Sequence, residues 1–358
     1  MPELPDVTLY CERLTARLGG ARMERIRLSS PFLLRSVDPP PSALSGRVLR
    51  QVRRLGKRLV WVFDEDFFLV LHLMIAGRLH WKEAGAKIPG RLGLAAFDFP
   101  DKGTVMLTEA SKKKRASMHI TRGEGSLAAF DRGGLEVLDA TLEQFRDRLQ
   151  RERHTLKRSL TDPTLFSGIG NAYSDELLHA AKLSPLRLTD SLREDEVLRL
   201  FDATRKTLVV WTEALRKETG EGFPEKVTAF REGMAVHGRY RQPCPVCGSP
   251  VQRIVYVENE TNYCAVCQNQ GRLLADRSLS RLLKDDWPKS PEELEELRSP
   301  RAEPPVRAPS THGTSGDGAA AAAAKRSSRG GVQGAGISGH GVAGVSANSA
   351  KPRSSSRS

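Results

Sequence analysis

Residues 244–267 read CPVCGSPVQRIVYVENETNYCAVC and place four cysteines in two pairs, with two residues inside each pair. Sixteen residues separate the pairs, which is enough for a short β-hairpin, and Gly248-Ser249-Pro250 predicts a turn after the first pair. One tetrahedral zinc ion needs four thiolates at this kind of spacing. One structural Zn²⁺ is therefore predicted in a zinc finger, with these ligands: Cys244, Cys247, Cys264 and Cys267.

Two disulfide bonds or four unrelated thiols are the alternatives to a zinc site. Disulfides persist mainly in secreted proteins, and no leader of the secretory type opens this sequence. No apolar run approaches the length that spans a bilayer. We therefore expect a cytosolic zinc protein without a membrane partner. The fifth cysteine, Cys11, shares a helical face with Val7, Leu14 and Leu18 and is predicted to be a buried apolar residue.

Charge is the second feature that narrows the function. The 358 residues carry a formal net charge of +13. Residues 301–358 contribute +6, from eight Lys and Arg against two acidic residues, which leaves +7 on residues 1–300. Such an excess suits a polyanion, and nucleic acid is the commonest one. Many basic proteins bind no DNA, so charge alone does not decide the partner.

The apolar pattern predicts an α+β multidomain protein. Residues 4–18 predict a helix that ends at Gly19-Gly20. Short apolar runs between turn residues then predict a β-sandwich or barrel over about residues 21–130. The clearest runs are Leu59–Phe63, Phe67–Met74, Leu94–Phe99 and Thr104–Leu107.

Helical periodicity follows the strands. It predicts helices at Leu142–Arg151, Asn171–Ala181 and Leu192–Lys217, and short ones at Arg277–Leu283 and Pro291–Leu297. Ser191 and Glu194 are predicted to form a capping box at the start of the long helix. Residues 299–358 have almost no large apolar side chain and are predicted to be a disordered basic tail that adds non-directional attraction to DNA.

The opening residues Met1-Pro2-Glu3-Leu4-Pro5-Asp6 carry groups suited to covalent catalysis. If Met1 is removed, Pro2 presents a secondary amine, and an α-amine with a pKa of about 8 is partly neutral at physiological pH. Its attack on an aldehyde carbon gives an iminium, a good electron sink for elimination. Glu3 beside it can transfer protons. A Met-Pro start is common, so these residues alone do not establish catalysis.

The order of motifs resembles that of the formamidopyrimidine-DNA glycosylase / endonuclease VIII family over about residues 2–268. The matching segments are Pro2–Val7, Gly56-Lys57, His72-Leu73, Asp162-Pro163, Gly168–Glu176, His237-Gly238-Arg239, the four cysteines and Gln268. The resemblance implies an N-terminal β-sandwich with an N-terminal helix, a helical helix–two-turn–helix domain and a C-terminal β-hairpin zinc finger. The segment Gly168–Glu176 is similar to the helix–two-turn–helix element.

The resemblance also implies a role for each matching residue. Pro2 would attack C1′ of the damaged nucleotide and form a Schiff base, Glu3 would transfer protons at the sugar, and Lys57 would contact phosphate and assist β-elimination. The implied DNA-binding residues are His72, Lys157, Gly170, Asn171 and Arg239. Among these, the Gly170 amide and Asn171 would hold a phosphate at a helix N-terminus, where free N–H groups favour an anion.

Simpler roles stay open for four of these residues. Lys57 could be a solvated turn lysine, and Lys157 an exposed helix lysine. Asn171 could be a helix N-cap, alone or together with phosphate binding. His72 could be a satisfied strand residue.

The chain departs from the family at several positions. Where members that excise oxidised purines place a Met-Arg-Phe wedge, Ile75 stands at the Met position beside Met74, and the Arg-Phe region reads EASKKKR over residues 109–115. Base flipping from intact duplex is therefore expected to be less well supported. Asn259 replaces a phosphate-gripping arginine of the finger, which favours β-elimination over β,δ-elimination; Arg253 or Arg272 could compensate, although neither aligns. Asp6 stands where Glu is usual.

The predicted function is a bifunctional DNA glycosylase and AP lyase that excises oxidised bases through an N-terminal proline Schiff base and cleaves the strand by β-elimination in base excision repair. The alternative is a damaged-DNA-binding protein on the same scaffold with little or no glycosylase activity. RNA binding is a weaker third hypothesis, because no exposed aromatic platform is evident.

The expected partner is double-stranded DNA that contains damaged bases or abasic sites, bound by a monomer in the bacterial cytosol or nucleoid. The predicted domain boundaries are 1–135 for the catalytic β-sandwich, 136–235 for the helix–two-turn–helix domain, 236–270 for the zinc finger, 271–298 for a short helical extension and 299–358 for the tail.

Overall fold

An N-terminal helix and eight strands build the first part of the chain. In the computed structural model, helix α1 spans Leu4–Leu18. The strands are β1 Arg25–Leu28, β2 Leu49–Leu55, β3 Arg58–Phe63, β4 Phe67–His72, β5 Gly77–Lys82, β6 Gly93–Phe99, β7 Gly103–Glu109 and β8 Ser117–Arg122. They form two antiparallel four-stranded sheets, in the orders β1-β6-β7-β5 and β2-β3-β4-β8. The predicted β-sandwich and its N-terminal helix are confirmed.

The two sheets share an apolar core, because alternate side chains of each strand point inward. The Trp61 ring of β3 lies 5.1 Å from the Phe97 ring of β6, centroid to centroid. Helix α1 adds its apolar face, with Val7, Cys11 and Leu14 buried in the same core. Burial raises the pKa of the Cys11 thiol to about 12. Cys11 is therefore a buried apolar residue, as predicted.

Four helices follow the sandwich. They are α2 Leu142–Gln150, α3 Leu156–Thr161, α4 Asn171–Ala180 and α5 Glu194–Thr219. Their apolar faces surround a second core that includes Phe145, Phe166 and Leu177. The three helices predicted in this region are confirmed, and the short helix α3 is an addition to them.

The predicted capping box of α5 is wrong. The Glu196 carboxylate accepts the backbone N–H of Arg193 at 3.0 Å. The Ser191 hydroxyl instead donates to the carbonyl of Leu188. Helix α5 therefore begins at Glu194, two residues after the predicted start.

The zinc finger and one further helix complete the described chain. Strands β9 Gln252–Val255 and β10 Glu260–Tyr263 form the predicted hairpin between the cysteine pairs, and α6 Ala265–Asn269 carries the last cysteine. Helix α7 spans Pro291–Arg298 and confirms the second short helix. None of the described helices is both long and apolar enough to cross a membrane.

The structure describes residues 1–225, 227–257, 259–275 and 288–298. The predicted helix over Arg277–Leu283 and the predicted tail over 299–358 lie outside the described residues. The predicted domain boundaries stay predictions.

The first turn of α1 joins the sandwich to the helical part. Leu4 packs in the helical core, whereas Val7 packs in the sandwich core. The Leu4 N–H donates to the Gly168 carbonyl at 2.9 Å. Gly168 has φ +77°, and a Cβ on it would lie 2.8 Å from Leu4 Cβ, so this approach requires glycine. The buried Pro2 and Glu3 therefore lie at the junction.

Candidate active site

A cavity of about 250 Å³ opens beside the N-terminus. Its walls come from the β2–β3 turn, the end of β4 and the loops that precede α2 and α4. The charged and ionisable residues among its walls are Lys57, Arg58, His72, Asp131 and Arg132. Three cations against one acid favour an anionic ligand. Met1 also lines the cavity, so the N-terminus faces this space.

Glu3 connects the N-terminus to helix α4. Its carboxylate accepts the backbone N–H groups of Gly170 at 2.6 Å, Ala172 at 2.9 Å and Tyr173 at 3.2 Å. The first N–H groups of a helix have no partner within the helix, and the helix dipole favours a negative charge there. Glu3 therefore caps α4, with its side chain directed to the junction between the two cores.

The Gly170 amide and Asn171 were predicted to hold a phosphate. The Gly170 N–H is not free, since it donates to Glu3. Asn171 is the first residue of α4 and Gly170 is its N-cap, so the simple N-cap role for Asn171 is wrong. The Asn171 side-chain amide donates to the Glu260 carbonyl at 2.9 Å. DNA contact by either residue stays a prediction.

Lys57 lies next to Glu3. Gly56 and Lys57 form the two-residue turn between β2 and β3, with Gly56 at φ +61°. A Cβ on Gly170 would lie 2.5 Å from Glu3 Cδ and 2.8 Å from Lys57 Nζ, so the amine and the carboxylate meet over that glycine. Burial lowers the pKa of Lys57, and the charge of Glu3 opposes that shift. Lys57 is half-buried beside a carboxylate, so it is more enclosed than the solvated turn lysine that was the alternative. Its role at DNA stays a prediction.

His72, the last residue of β4, lines the same cavity. Burial, followed by the charges of Arg58 and Lys57, lowers its pKa to about 4. The imidazole is therefore neutral at physiological pH. A neutral His72 can donate a hydrogen bond to a phosphate oxygen, but it adds no charge.

Lys157 belongs to a buried ionic cluster. Its Nζ donates to Asp175 Oδ1 at 2.5 Å and to the Asn171 carbonyl at 2.7 Å. His237 Nδ1 lies 2.8 Å from the other oxygen of Asp175. Lys157 is only 9% exposed, so the exposed helix lysine that was its alternative is wrong. Its phosphate contact stays a prediction.

Arg239 is engaged within the finger. Its guanidinium donates to the carbonyls of Met234 at 2.9 Å and Pro243 at 3.1 Å, and to Gln242 Oε1 at 3.1 Å. These contacts brace the segment that leads into Cys244. They give Arg239 a structural role, and the predicted DNA contact gains no support from this geometry.

Several acids and one arginine of the junction were not identified as site residues from the sequence. Arg231 donates to Asp6 Oδ1 at 2.6 Å, and the other Asp6 oxygen accepts the Glu3 N–H at 3.0 Å. Glu176 accepts three successive backbone N–H groups from residues 235–237. Asp175 and Glu176 lie in the matched segment Gly168–Glu176, and that segment is the sequence signal that could have identified them. Arg231 lies in no motif.

Apart from the buried Asp6 of α1, the positions that depart from the family lie at exposed turns and loops. Ile75 is 50% exposed in the turn after β4, next to Met74 at φ +53°. In the loop after β7, Glu109 accepts the backbone N–H groups of Arg115 and Ala116. Lys112 and Lys113 of this loop are exposed. Asn259 lies in the turn between β9 and β10.

The four cysteines converge on one point. Their Sγ atoms all lie within 4.8 Å of one another, with Cys247 and Cys264 3.4 Å apart. Four sulfurs at this separation fit one tetrahedral Zn²⁺. His179 Nε2 of α4 lies 3.3 Å from Cys244 Sγ, which suits an N–H donor to a metal-bound thiolate.

Comparisons with known families match most of the described chain. The formamidopyrimidine-DNA glycosylase N-terminal domain matches residues 1–121, and the formamidopyrimidine-DNA glycosylase H2TH domain matches residues 135–222. The zinc finger found in FPG and IleRS matches residues 241–270. The predicted architecture and the single structural zinc are confirmed.

Individual relatives agree with these matches. The chain is 30% identical over 285 residues to the formamidopyrimidine-DNA glycosylase of Herpetosiphon aurantiacus, covering 75% of this chain and 100% of the relative. It is 31% identical over 281 residues to that of Heliobacterium modesticaldum, with coverage of 75% and 100%. A crystal structure of the Lactococcus lactis enzyme in complex with a FAPY-dG-containing DNA superimposes with a TM-score of 0.67 at 25% identity, covering 75% of this chain and 100% of that one.

Proposed function

Since the chain belongs to the formamidopyrimidine-DNA glycosylase family, we propose that it is a bifunctional DNA glycosylase and AP lyase of base excision repair. It excises oxidised bases from DNA and then cleaves the strand by β-elimination. The observation that carries this proposal is the meeting of Glu3, Lys57 and the N-terminus beside a cationic cavity. Its substrate is double-stranded DNA that contains damaged bases or abasic sites, and the Lactococcus lactis relative in complex with a FAPY-dG-containing DNA supports this choice. The bacterial origin of the relatives supports action in the bacterial cytosol.

The nucleophile is the secondary amine of Pro2 after removal of Met1. Burial lowers the pKa of the Met1 amino group, and the buried Pro2 lies one residue further into the same surroundings. A neutral amine can attack C1′, which forms the N–C1′ bond while the bond from C1′ to the base breaks. The Pro2 nitrogen loses its proton, and the departing base takes one up. The C1′–O4′ bond then breaks as O4′ accepts a proton, for which Glu3 is a suitable donor, and the ring-opened iminium acts as the electron sink for elimination.

Glu3 is suited to proton transfer at the sugar. Three backbone N–H groups hold its carboxylate at a defined place, which fixes the geometry that proton transfer requires. The same contacts tie the residue next to the nucleophile to α4. Loss of Glu3 would therefore affect both the position of Pro2 and the proton transfer.

Lys57 is suited to the elimination step. Burial lowers the pKa of Lys57, which increases its share of neutral amine, the form that can accept a proton from C2′ during elimination. When a DNA phosphate lies beside it, the charged form is favoured and the residue binds the backbone. Arg58 and Arg132 add positive charge to the same cavity.

Borohydride trapping with an abasic-site duplex tests the proposal. The wild-type protein should give a covalent protein–DNA adduct, and a variant with an uncleaved residue before Pro2 should give none while retaining zinc. A wild-type protein that binds the duplex but gives no adduct would contradict lyase chemistry. Product analysis should show mainly the strand ends of β-elimination rather than those of β,δ-elimination. The reason is that Asn259 replaces the phosphate-gripping arginine that the family has in the turn of the finger.

One observation favours the second candidate, a damaged-DNA-binding protein with little glycosylase activity. At the positions matched to the Met-Arg-Phe wedge, the chain has the aliphatic Ile75 and a loop without an aromatic residue, in which Lys112 and Lys113 are exposed. Cations hold phosphate but do not stack between bases. Tight duplex binding without trapping would select this candidate over the enzyme.

A further inference from the structure

Arg253 lies on the face of the zinc-finger hairpin that is turned toward α4. In the β9–β10 register, Arg253 pairs with Asn262, and Val255 pairs with Glu260. Residues that pair directly across two strands share a face of the hairpin. On this face, Asn262 Nδ2 lies 3.5 Å from Asp175 Oδ2 of α4.

Glu260 brings the same face to the start of α4. Its carbonyl accepts the Asn171 side-chain amide at 2.9 Å. Its carboxylate accepts from Asn262 Nδ2 at 3.1 Å and lies 3.2 Å from Arg253 Nη1. Arg253 and the first turn of α4 therefore border one surface, with Glu260 between them.

The guanidinium of Arg253 is held but not buried. Its Cζ lies 4.3 Å from the centroid of the Tyr240 ring, a stacking geometry that fixes the guanidinium plane. The Arg253 side chain is 42% exposed, and its partner Glu260 is 27% exposed. An ion pair this accessible contributes little to stability and is readily exchanged for another anion. Arginine also presents a fork of five N–H donors that matches a phosphate.

Nearby cations are committed to internal partners. Lys157 is buried against Asp175 and the Asn171 carbonyl. Arg231 is paired with the buried Asp6, and Arg239 donates to three acceptors of its own segment. Arg253 differs from these three, because its partner is a partly exposed carboxylate at the edge of the same surface.

We propose that Arg253 binds a backbone phosphate of DNA held against the first turn of α4, and that Glu260 is the competing anion. In the free protein, Glu260 keeps the guanidinium oriented over Tyr240. When DNA binds, the phosphate takes the place of the Glu260 carboxylate on Arg253. The inference depends on the proposed function only in taking DNA as the ligand; it requires no step of the chemistry.

Substitutions of Arg253 and Glu260 should have opposite effects on DNA affinity. Arg253→Ala removes a phosphate contact, whereas Glu260→Gln removes a negative charge that repels the phosphate. If the pair only stabilised the hairpin, both substitutions would weaken binding. The sign of the Glu260→Gln effect therefore separates a DNA-binding role from a structural one.

The experiment measures the affinity of the full-length zinc protein for a duplex with a tetrahydrofuran abasic analogue, by fluorescence anisotropy over a series of salt concentrations. Arg253→Ala should weaken binding about 10-fold and reduce the salt slope by about one phosphate contact. Glu260→Gln should strengthen binding a few-fold, and Arg253→Ala should abolish that gain. Arg241→Ala is the matched control, since Arg241 also lies over the Tyr240 ring, at 5.4 Å.

Zinc content and Tm of every variant establish that the finger is intact. The inference is overturned if Arg253→Ala leaves the affinity and the salt slope unchanged, or if Glu260→Gln weakens binding in a zinc-loaded, folded protein. Failure of the proposed function is a different result. In that case borohydride trapping fails for the wild type while the opposite effects of the two variants on binding persist.

Discussion

Glu3 Oε2 lies 2.6 Å from the backbone nitrogen of Gly170, a residue 167 positions later in the chain. This contact ties the residue next to the proposed nucleophile to the first turn of α4. The sandwich and the helical part therefore position the active-site groups jointly, and neither part could do so alone. Substitutions on either side of the contact should affect the chemistry.

Gly170→Ala should greatly reduce borohydride trapping. The new Cβ would lie 2.5 Å from Glu3 Cδ and 2.8 Å from Lys57 Nζ, so both side chains would have to move. A displacement of about 1 Å at a reacting group costs about 100-fold in rate. Gly90→Ala is the control, because a Cβ there meets nothing within 4 Å. Equal trapping rates for the two variants would contradict the close approach.

Glu3→Gln should lower both stability and activity. The Gln side chain keeps one acceptor oxygen, but its NH₂ group would face a backbone N–H that Glu3 now accepts. An unsatisfied donor of this kind costs about 1–3 kcal/mol. Tm and single-turnover base excision measure the two effects separately. An unchanged Tm would mean that Glu3 does not cap α4.

His72 should make the protein less stable in acid. Its pKa falls from an ordinary 6.5 to about 4 in the folded state. Between these values the unfolded chain binds a proton that the folded chain does not, so the free energy of unfolding falls as the pH decreases from 6.5 toward 4. His72→Gln removes this pH-dependent contribution to the free energy of unfolding. Denaturant unfolding at pH 7 and pH 5 should show that the free energy of unfolding falls less for the variant than for the wild type. An identical fall would contradict the lowered pKa of His72.

His179→Phe should weaken zinc binding while leaving the four thiolates in place. The Nε2 of His179 lies 3.3 Å from Cys244 Sγ, and a lost hydrogen bond to a metal ligand typically lowers metal affinity about 10- to 100-fold. Competition with a chromogenic chelator measures the change. The control is Val266→Ala, at an exposed position between the last two cysteines. If both variants released zinc at the wild-type rate, His179 would have no role at the metal.

Ile75→Ala should impair excision from duplex more than cleavage at an existing abasic site. Ile75 is 50% exposed at the position matched to the wedge, and filling the space of an extruded base requires an apolar side chain there. Unpairing is needed for excision of a paired base but much less at an abasic site. For Ile75→Ala, the rate of base excision from duplex should fall several-fold more than the rate of cleavage at an abasic site. An equal fall in both rates would argue against a wedge role for Ile75.

Sequence patterns were sufficient to predict those elements and sites whose residues lie close together in the chain. Short apolar runs between turn residues predicted β4 and β6, and the paired cysteines predicted the zinc site. Helix ends were predicted less well, because Arg193 and Glu196 competed successfully with Ser191 for the start of α5.

Contacts between distant segments could not be predicted from the sequence. Arg231 reaches Asp6 across 225 positions, and no periodicity or spacing marks either residue for the other. The burial of Lys157 and the partial burial of Lys57 were missed for the same reason, since a lysine on a turn or helix is usually solvated. In each case the decisive partner, such as Asp175, lies on an element whose packing only the folded chain defines.

The most direct test of the central claim is to digest the borohydride-trapped adduct and locate the DNA by tandem mass spectrometry. The digest should yield an N-terminal peptide that begins at Pro2, with Met1 absent and the sugar attached to the Pro2 nitrogen. An adduct on a lysine side chain, or a protein that retains Met1 and still gives the wild-type yield of adduct, would contradict it.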